Sequence, residues 1–406
     1  MILRSLFLLV LVLSVAAGTD VRAGPATRPD PAGAVIVVVD GLGASYVYPE
    51  YSARTLDGAP IGKAVLFNLT GSGGRVVDVR VPVPETTKSH SVLVTGNSSV
   101  NPQYLSTTIF DAARQRGYLC LAVLQRGDAM SMLQEMDAVL YLSDNAMRGA
   151  EPTPGFRESA PISLRPLFQV WQNRFDEYSA PQGVAGYAGY DAWGLDGAAA
   201  VVRNLTGRPF LMLVNVGAVD SAGHNLGING YLQTIAALDA PLGNLAEACR
   251  ENNMLLVVTA DHGMCFPSLK GKGGHSAEKF AARLESLRIP LVFFGPGVEE
   301  LNLGGNWSEV DIAPTVLDML NLSEPESLSW EGNCIPLKKS HDSQALGVPE
   351  GVANYRGERL VANRTLDLTA KTAPPMGGMK KAVGVILILI INLVGAAVII
   401  WIWRKE

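Results

Sequence analysis

Charge is scarce in this 406-residue chain, where Asp, Glu, Lys and Arg together make up 17%. Ordinary soluble domains carry about a quarter. The hydrophobic content of 48% excludes a largely disordered chain, which needs low hydrophobicity and high net charge. With 33 basic and 38 acidic residues the net charge is −5, so no nucleic-acid-binding surface is expected. Cysteine is sparse too. Cys120, Cys249, Cys265 and Cys334 lie far apart and no CxxC occurs, which argues against a cysteine metal site or a thiol redox motif. A Cys265–Cys334 disulfide is the one pairing considered, in an oxidising compartment. Neither a complete dinucleotide fingerprint nor a Walker motif is present; Gly41-Leu42-Gly43 is only a fragment. There is no internal repeat. Histidine is limited to five positions, His90, His224, His262, His275 and His341.

Long hydrophobic runs, by contrast, are present at both ends. Arg4 followed by apolar Leu6 to Val15 and then small residues reads as a signal peptide over residues 1–23. Ala382 to Trp403 is an uninterrupted apolar stretch of about 22 residues, enough to span a bilayer as one helix. Lys380-Lys381 and Arg404-Lys405 flank it. The chain continues past the apolar run to Glu406, unlike a GPI signal. Asn-x-Ser/Thr sequons at Asn68, Asn97, Asn204, Asn306, Asn321 and Asn363 favour export. The expected organisation is a signal peptide (1–23), a body (24–340), a stalk (341–381), a transmembrane helix (382–403) and a cytoplasmic tail (404–406). The body would face outside a single-pass cell-membrane anchor.

Within the body, Ala34 to Val39 is a continuous β-branched run, the pattern of a strand buried on both faces of a parallel sheet. Similar runs occur at 118–124, 138–142, 209–216, 254–259 and 290–294. Helix-like stretches lie between them, at 89–95, 107–116, 163–178, 191–204, 230–252 and 311–320. The alternation predicts an α/β fold, a doubly wound, mostly parallel sheet with helices on both faces. Residues 150–190, rich in Pro, Gly and aromatics, read as a cap or insertion loop.

Chemistry-bearing residues gather where those strands end. Asp40 follows the first strand, and the carboxyl ends of parallel strands are where open α/β sheets bind ligands. Asp220-Ser-Ala-Gly-His224 follows another. Asp261-His262-Gly263-Met264 follows a third, with His275 in a glycine-rich loop beyond it. Carboxylate oxygen with imidazole nitrogen is a zinc-type ligand set. Three Asp and three His suffice for the protein ligands of two metal ions, which can clamp both oxygens of an in-line phosphoryl displacement. A nucleophile is sought near them. The hydroxyl-rich turn Pro84-Glu85-Thr86-Thr87-Lys88-Ser89-His90 enters an apolar helix, whose free N–H groups and dipole favour negative charge. An ordinary helix cap by Thr86 or Thr87 is the competing reading.

Asp40-Gly, Thr86-x-x-x-His90 with Thr95-Gly96, Asp220-x-x-Gly-His224, Asp261-His262-Gly263-Met264 and His275, in this order, resemble the alkaline phosphatase superfamily, with type I phosphodiesterase/nucleotide pyrophosphatase-like proteins the nearest subgroup. The similarity extends through Asp311-Ile-Ala-Pro-Thr315 and covers roughly residues 33–325. The resemblance implies one metal held by Asp40, Asp261, His262 and the nucleophile, and a second held by Asp220, His224 and His275. It places the nucleophile four residues before His90, at Thr86. The proline that usually lies three before the nucleophile would instead select Thr87. His275 follows His262 at a shorter interval than is usual, and His341 is the only later histidine. The implied cofactors are two divalent ions, zinc with manganese as the alternative. The implied activity is hydrolysis of phosphate esters, a phosphodiesterase or phosphomonoesterase acting through phospho-threonine. The alternatives are a phosphotransferase acting on lipid or glycan hydroxyls and a catalytically dead binding protein. No Cys/Ser-x-Pro-x-Arg motif surrounds Thr86, which disfavours a sulfatase. The implied partners are a phosphate-ester substrate and, through the C-terminal helix, a membrane.

Overall fold

The computed structural model describes residues 30–338, apart from 67–72, 106, 126–131, 144–149, 206 and 323–329. The expected signal peptide (1–23), stalk (341–381), membrane span (382–403) and tail (404–406) lie outside the described residues, as does His341. Among the described residues no helix is long and apolar enough to cross a membrane.

The described strands are β1 (Ala34–Val39), β2 (Gly74–Arg80), β3 (Leu119–Leu124), β4 (Ala138–Tyr141), β5 (Thr153–Phe156), β6 (Phe210–Val216), β7 (Leu255–Thr259), β8 (Arg288–Phe294), β9 (Leu301–Leu303) and β10 (Trp307–Ser308). They form one sheet in the order β10-β2-β8-β7-β1-β6-β3-β4-β5, with β9 also against β2. The run β7-β1-β6-β3-β4 is parallel throughout. Strand β8 runs antiparallel to both β7 and β2, and β5 antiparallel to β4. The sheet is therefore mixed, with its parallel part central. Every residue of β1, β3, β6 and β7 is buried, which is why these strands read as near-continuous apolar runs, with Asn215 in β6 and Thr259 at the end of β7 the polar members.

Helices α1 (Thr86–Thr95), α2 (Ile109–Gln115), α3 (Leu164–Ser179), α4 (Val184–Asn204), α5 (Ala218–Ala237), α6 (Asp239–Glu251) and α7 (Ile312–Met319) form two packed groups. One contains α1, α2 and α7, the other α3 to α6, and together they cover both faces of the sheet. The apolar stretch at 230–252 is not one helix. It comprises the end of α5 and all of α6, and α5 is itself broken at Gly227, whose φ of 71° leaves the helical region.

Residues 150–190, expected as a cap or insertion loop, instead supply the edge strand β5, all of α3 and the start of α4. The aromatics that suggested a cap are core residues. Phe168, Trp171 and Phe175 are buried, Phe175 meets Trp193 edge-on with ring centroids 5.0 Å apart, and Trp193 donates its indole N–H to the Trp171 carbonyl at 2.7 Å. The Cys265–Cys334 pairing is not formed: Cys265 is buried, Cys334 is exposed, and both are free thiols.

Strand β1, with β6 and β7 on either side, sets the level of the sheet's carboxyl edge. Ile36 lies at its middle and is fully buried. Ile36→Ala should cost about 2–5 kcal/mol of unfolding free energy in a denaturant titration, the range for deleting a large buried aliphatic side chain.

Candidate metal centre

Three adjacent parallel strands deliver the first residues of the site. Val39 pairs in register with Val216, and Val38 with Thr259, so β1, β6 and β7 end at one level. The next backbone positions stay hydrogen-bonded. Asp40 N–H donates to the Val216 carbonyl at 2.9 Å, and Asp220 N–H donates to the Asp40 carbonyl at 3.0 Å. Asp40, Asp220, Asp261 and His262 are thereby brought together, and all four are buried.

The chain passes through a tight spot to achieve this. Gly41 has φ of +78°, and a Cβ there would lie 2.8 Å from the Asp220 Cβ. Tyr231 holds this turn from α5, accepting from Gly43 N–H at 3.1 Å and donating to the Gly41 carbonyl at 2.7 Å. Burial raises the pKa of the Tyr231 phenol, so the clamp is uncharged.

His262 Nε2 lies 3.5 Å from Asp40 Oδ1 and 3.4 Å from Asp261 Oδ2. His224 Nε2 lies 3.2 Å from Asp220 Oδ1, one helical turn away on α5, and His275 Nε2 lies 3.6 Å from the same oxygen. The short interval between His262 and His275 is explained by a loop that closes on itself: Cys265 and Gly274 exchange two backbone hydrogen bonds, and Gly273 N–H donates to the Gly223 carbonyl. The His275 ring stacks on His262 with centroids 3.6 Å apart.

All three imidazoles are oriented in one way. Nδ1 of His224, His262 and His275 lies 2.9, 3.0 and 2.8 Å from the carbonyls of Gly273, Gly263 and Pro84. A carbonyl only accepts, so Nδ1 carries the proton and Nε2 presents a lone pair to the carboxylates. Backbone anchoring of this kind is how metal-ligating histidines are held. Burial, and then the neighbouring His262, lowers the pKa of His275 and favours the neutral ligand form. Burial raises the Asp261 pKa against the opposing pull of His90 and the Gly41 N–H. Its Oδ1 accepts from the N–H groups of Gly41 and His262 at 3.0 and 2.9 Å, while Oδ2 accepts no hydrogen bond.

This donor set fits divalent metal. The ligand atoms of Asp220, His224 and His275 lie within 4.8 Å of one another, and so do those of Asp40, Asp220 and His262. Asp220 is common to both groups. Asp261 Oδ2 faces His262, on the side of the second group. The first group is the more open, with the His224 side chain 39% exposed against 0% for His262.

Thr86 opens α1 at this cluster, its hydroxyl 3.1 Å from His262 Nε2. Thr87 is half-buried, and its carbonyl accepts from Ser91 within the helix. Two residues without an assigned role in the sequence share the face of Thr86. Ser89 donates to the Asp261 carbonyl, and His90 Nε2 lies 3.9 Å from Asp261 Oδ2 and 3.2 Å from Asn215 Nδ2. The helical spacing i, i+3, i+4 from Thr86 was the available signal for them. Lys88, between Thr86 and Ser89 in sequence, turns away to the Val100 carbonyl.

Residues 193–324 match the family described as the Metalloenzyme superfamily, a segment that includes Asp220, His224, Asp261, His262 and His275 but neither Asp40 nor Thr86. The chain is 31% identical over 128 residues to the 2,3-bisphosphoglycerate-independent phosphoglycerate mutase of Vibrio vulnificus, covering 31% of this chain and 24% of that one. The corresponding mutase of Psychrobacter arcticus is 26% identical over 126 residues, covering 31% and 22%. The chain thus spans about a quarter of the length of these mutases. In fold it is similar to alkaline phosphatase PafA, with TM-score 0.54, 14% identity and coverage of 77% of this chain and 99% of that one. It is also similar to BT4656, solved in complex with its substrate D-glucosamine-2-N,6-O-disulfate, with TM-score 0.53, 13% identity and coverage of 77% and 80%. At these identities the two structures speak for the fold alone. In fold the chain is thus similar to an alkaline phosphatase, and its residues 193–324 match the Metalloenzyme superfamily. The resemblance read from its motifs holds at the level of that superfamily.

Gly41 offers a test of the site's construction, with Gly58 as its control. Both have positive φ, but a Cβ at Gly58 meets nothing within 4 Å. Gly58→Ala should lose only the left-handed backbone term of about 1–2 kcal/mol. Gly41→Ala should lose more in thermal unfolding and should also weaken divalent-metal binding in a competitive chelator titration, because Asp220 must move.

Proposed function

We propose that this protein is an extracytoplasmic, membrane-anchored hydrolase of phosphate esters, a phosphodiesterase or phosphomonoesterase with Thr86 as its covalent nucleophile. The observation that carries the proposal is the position of the Thr86 hydroxyl, at the first turn of α1 and against His262 in the carboxylate–imidazole cluster. Asp40, Asp261, His262 and Thr86 would hold one divalent ion, and Asp220, His224 and His275 the other. Zinc suits this mixed oxygen and nitrogen set, with manganese the alternative. When bound, such ions supply Lewis-acid charge at the reacting oxygens and phosphoryl group.

The chain's own part in the reaction follows from its geometry. The first N–H groups of a helix have no intrahelical acceptor, so the start of α1 offers donors and a favourable dipole to a phosphoryl oxygen beside Thr86. Thr86 Oγ1 gives its proton to solvent water and attacks phosphorus; the P–O bond to the leaving group breaks, the departing oxygen takes up a proton from water, and phospho-threonine forms. Water then attacks the same phosphorus and releases Thr86 with its proton restored. The more exposed His224 and His275 side of the site is the route for substrate and water. The type I phosphodiesterase/nucleotide pyrophosphatase-like subgroup remains the preferred placing within the superfamily.

A second reading is transfer of the phosphoryl or phospho-substituent to a lipid or glycan hydroxyl. The similarity of about a third of the chain to phosphoglycerate mutases favours it, since their name describes transfer rather than hydrolysis. Export rests on the leader and the apolar run at 382–403, and it is consistent with the exposed sequon residues Asn204, Asn306 and Asn321.

Thr86→Ala should abolish turnover of a phosphodiester and phosphomonoester panel while zinc content stays largely intact, and Thr86→Ser should keep appreciable activity. Thr87→Ala should cost no more than a helix-cap loss of roughly 0.5–2 kcal/mol in stability. Peptide mass analysis after trapping should place the phosphoryl label on Thr86; a label on Thr87 shifts the nucleophile by one residue.

Topology is tested separately. Protease added to intact cells should digest the body, whereas a protected body would reverse the orientation.

A further inference from the structure

Glu309 is a buried carboxyl group that the reaction described above does not use. It lies in a short turn, Glu309–Asp311, between β10 and α7, and this turn packs against α1. It is fully buried. Among the described residues no Lys, Arg or His pairs with it, and its Oε2 accepts no hydrogen bond. Its Oε1 meets one group, the Ser89 hydroxyl on α1, and that same hydroxyl also meets the Asp261 carbonyl.

Proton counting decides what this contact is. Ser89 has one hydroxyl proton and lies against two oxygens. The Asp261 carbonyl has no proton to give. If Glu309 were ionised, both neighbours would be pure acceptors, and one contact would press two unshared oxygens together in a dry site. If Glu309 is protonated, every contact is a hydrogen bond: Glu309 Oε1–H donates to Ser89 Oγ, and Ser89 O–H donates to the Asp261 carbonyl. Burial pushes the Glu309 carboxyl well above its usual range, more strongly than Ser89 holds it down, and the nearby Asp261 adds to the rise.

We propose that Glu309 is held as the neutral acid and, through Ser89, pins the nucleophile-bearing face of α1 to the loop carrying Asp261 and His262. The proposal rests on the site reading given above, and Glu309 acts in it as a positioning residue. The relay ties together the two segments whose separation sets the Thr86–His262 distance. Ser89 lies one turn beyond Thr86, and the Asp261 carbonyl immediately precedes the His262 amide. A buried, charge-free link suits this place, because a second anion beside Asp261 would add to the repulsion already present there.

The test uses the full-length chain and four proteins: wild type, Glu309→Gln, Glu309→Ala and Ser89→Ala. Gln keeps a neutral donor of the same length and cannot ionise. Infrared difference spectra of wild type against Glu309→Gln should show a protonated-carboxyl carbonyl band, which persists in Ser89→Ala at a shifted position. Zinc titration should give near wild-type affinity for Glu309→Gln and weaker affinity for Glu309→Ala and Ser89→Ala. With a chromogenic phosphate ester, kcat should fall roughly 10²-fold in the two Ala variants with KM little changed, as expected for a small misplacement of reacting groups. Glu309→Gln should retain most of kcat. Absence of the carboxyl band in wild type overturns the neutral acid. Wild-type zinc affinity in both Ala variants overturns the positioning role. The infrared and zinc measurements need no turnover, so a wild-type protein that hydrolyses no phosphate ester sinks the hydrolase reading while leaving these two results decisive. Should Glu309→Ala fail to fold, Ser89→Ala and the infrared band still decide the matter.

Discussion

Mutual repulsion among three buried carboxylates is the constraint to which the rest of this structure answers. Asp40, Asp220 and Asp261 converge at the ends of β1, β6 and β7, almost wholly removed from water. Charges buried this way are strongly unfavourable unless paired and hydrogen-bonded. Part of the compensation is local: two backbone N–H groups point at Asp261 Oδ1. The three imidazoles give no proton to the carboxylates, because carbonyls hold their Nδ1 protons and Nε2 faces the cluster as a further electron-pair donor. The remainder is the room for divalent cations that the donor set implies.

The parallel sheet is what makes such a convergence attainable. Strands β7, β1 and β6 run side by side in register, so three residues more than two hundred positions apart at the extremes reach one point without long loops. Helix α1 arrives from outside that trio, after β2. Its face of Thr86, Ser89 and His90 meets the Asp261–His262 loop at three successive contacts. The site is a seam between a strand-end loop and a helix start.

Much of the fold was legible because burial on both faces leaves a plain signature. Strand β1 was read with the bounds the structure gives, and β3, β4, β6 and β7 to within a residue or two at each end. Strand β2 was not read. Its sequence, Gly-Arg-Val-Val-Asp-Val-Arg, mixes charge with β-branched residues, and its partners are β8, β9 and β10, far along the chain. The antiparallel direction of β8 was equally hidden, since an apolar run carries no information about the direction of its neighbours. Residues 150–190 misled for a related reason: Phe168, Trp171 and Phe175 mark a helix–helix core as readily as a ligand cap, and composition does not tell them apart.

For the site, the sequence by itself determined the ingredients: which Asp and His stand at strand ends, and that Thr86 or Thr87 opens a helix near them. These are local facts, set by strand periodicity and short motif spacing. Which of the two threonines faces the cluster was a matter of helix phase against a loop some 175 residues away, and only the packed structure puts Thr86 at His262. The same holds for His275, whose place depends on the closed Cys265–Gly274 loop, and for Asp220, which proved common to both ligand groups. Glu309 and Ser89 were invisible as a pair, 220 positions apart. Their meaning arises from burial and hydrogen-bond geometry, which come into being only when α1, the Glu309–Asp311 turn and the Asp261 loop pack together and exclude water.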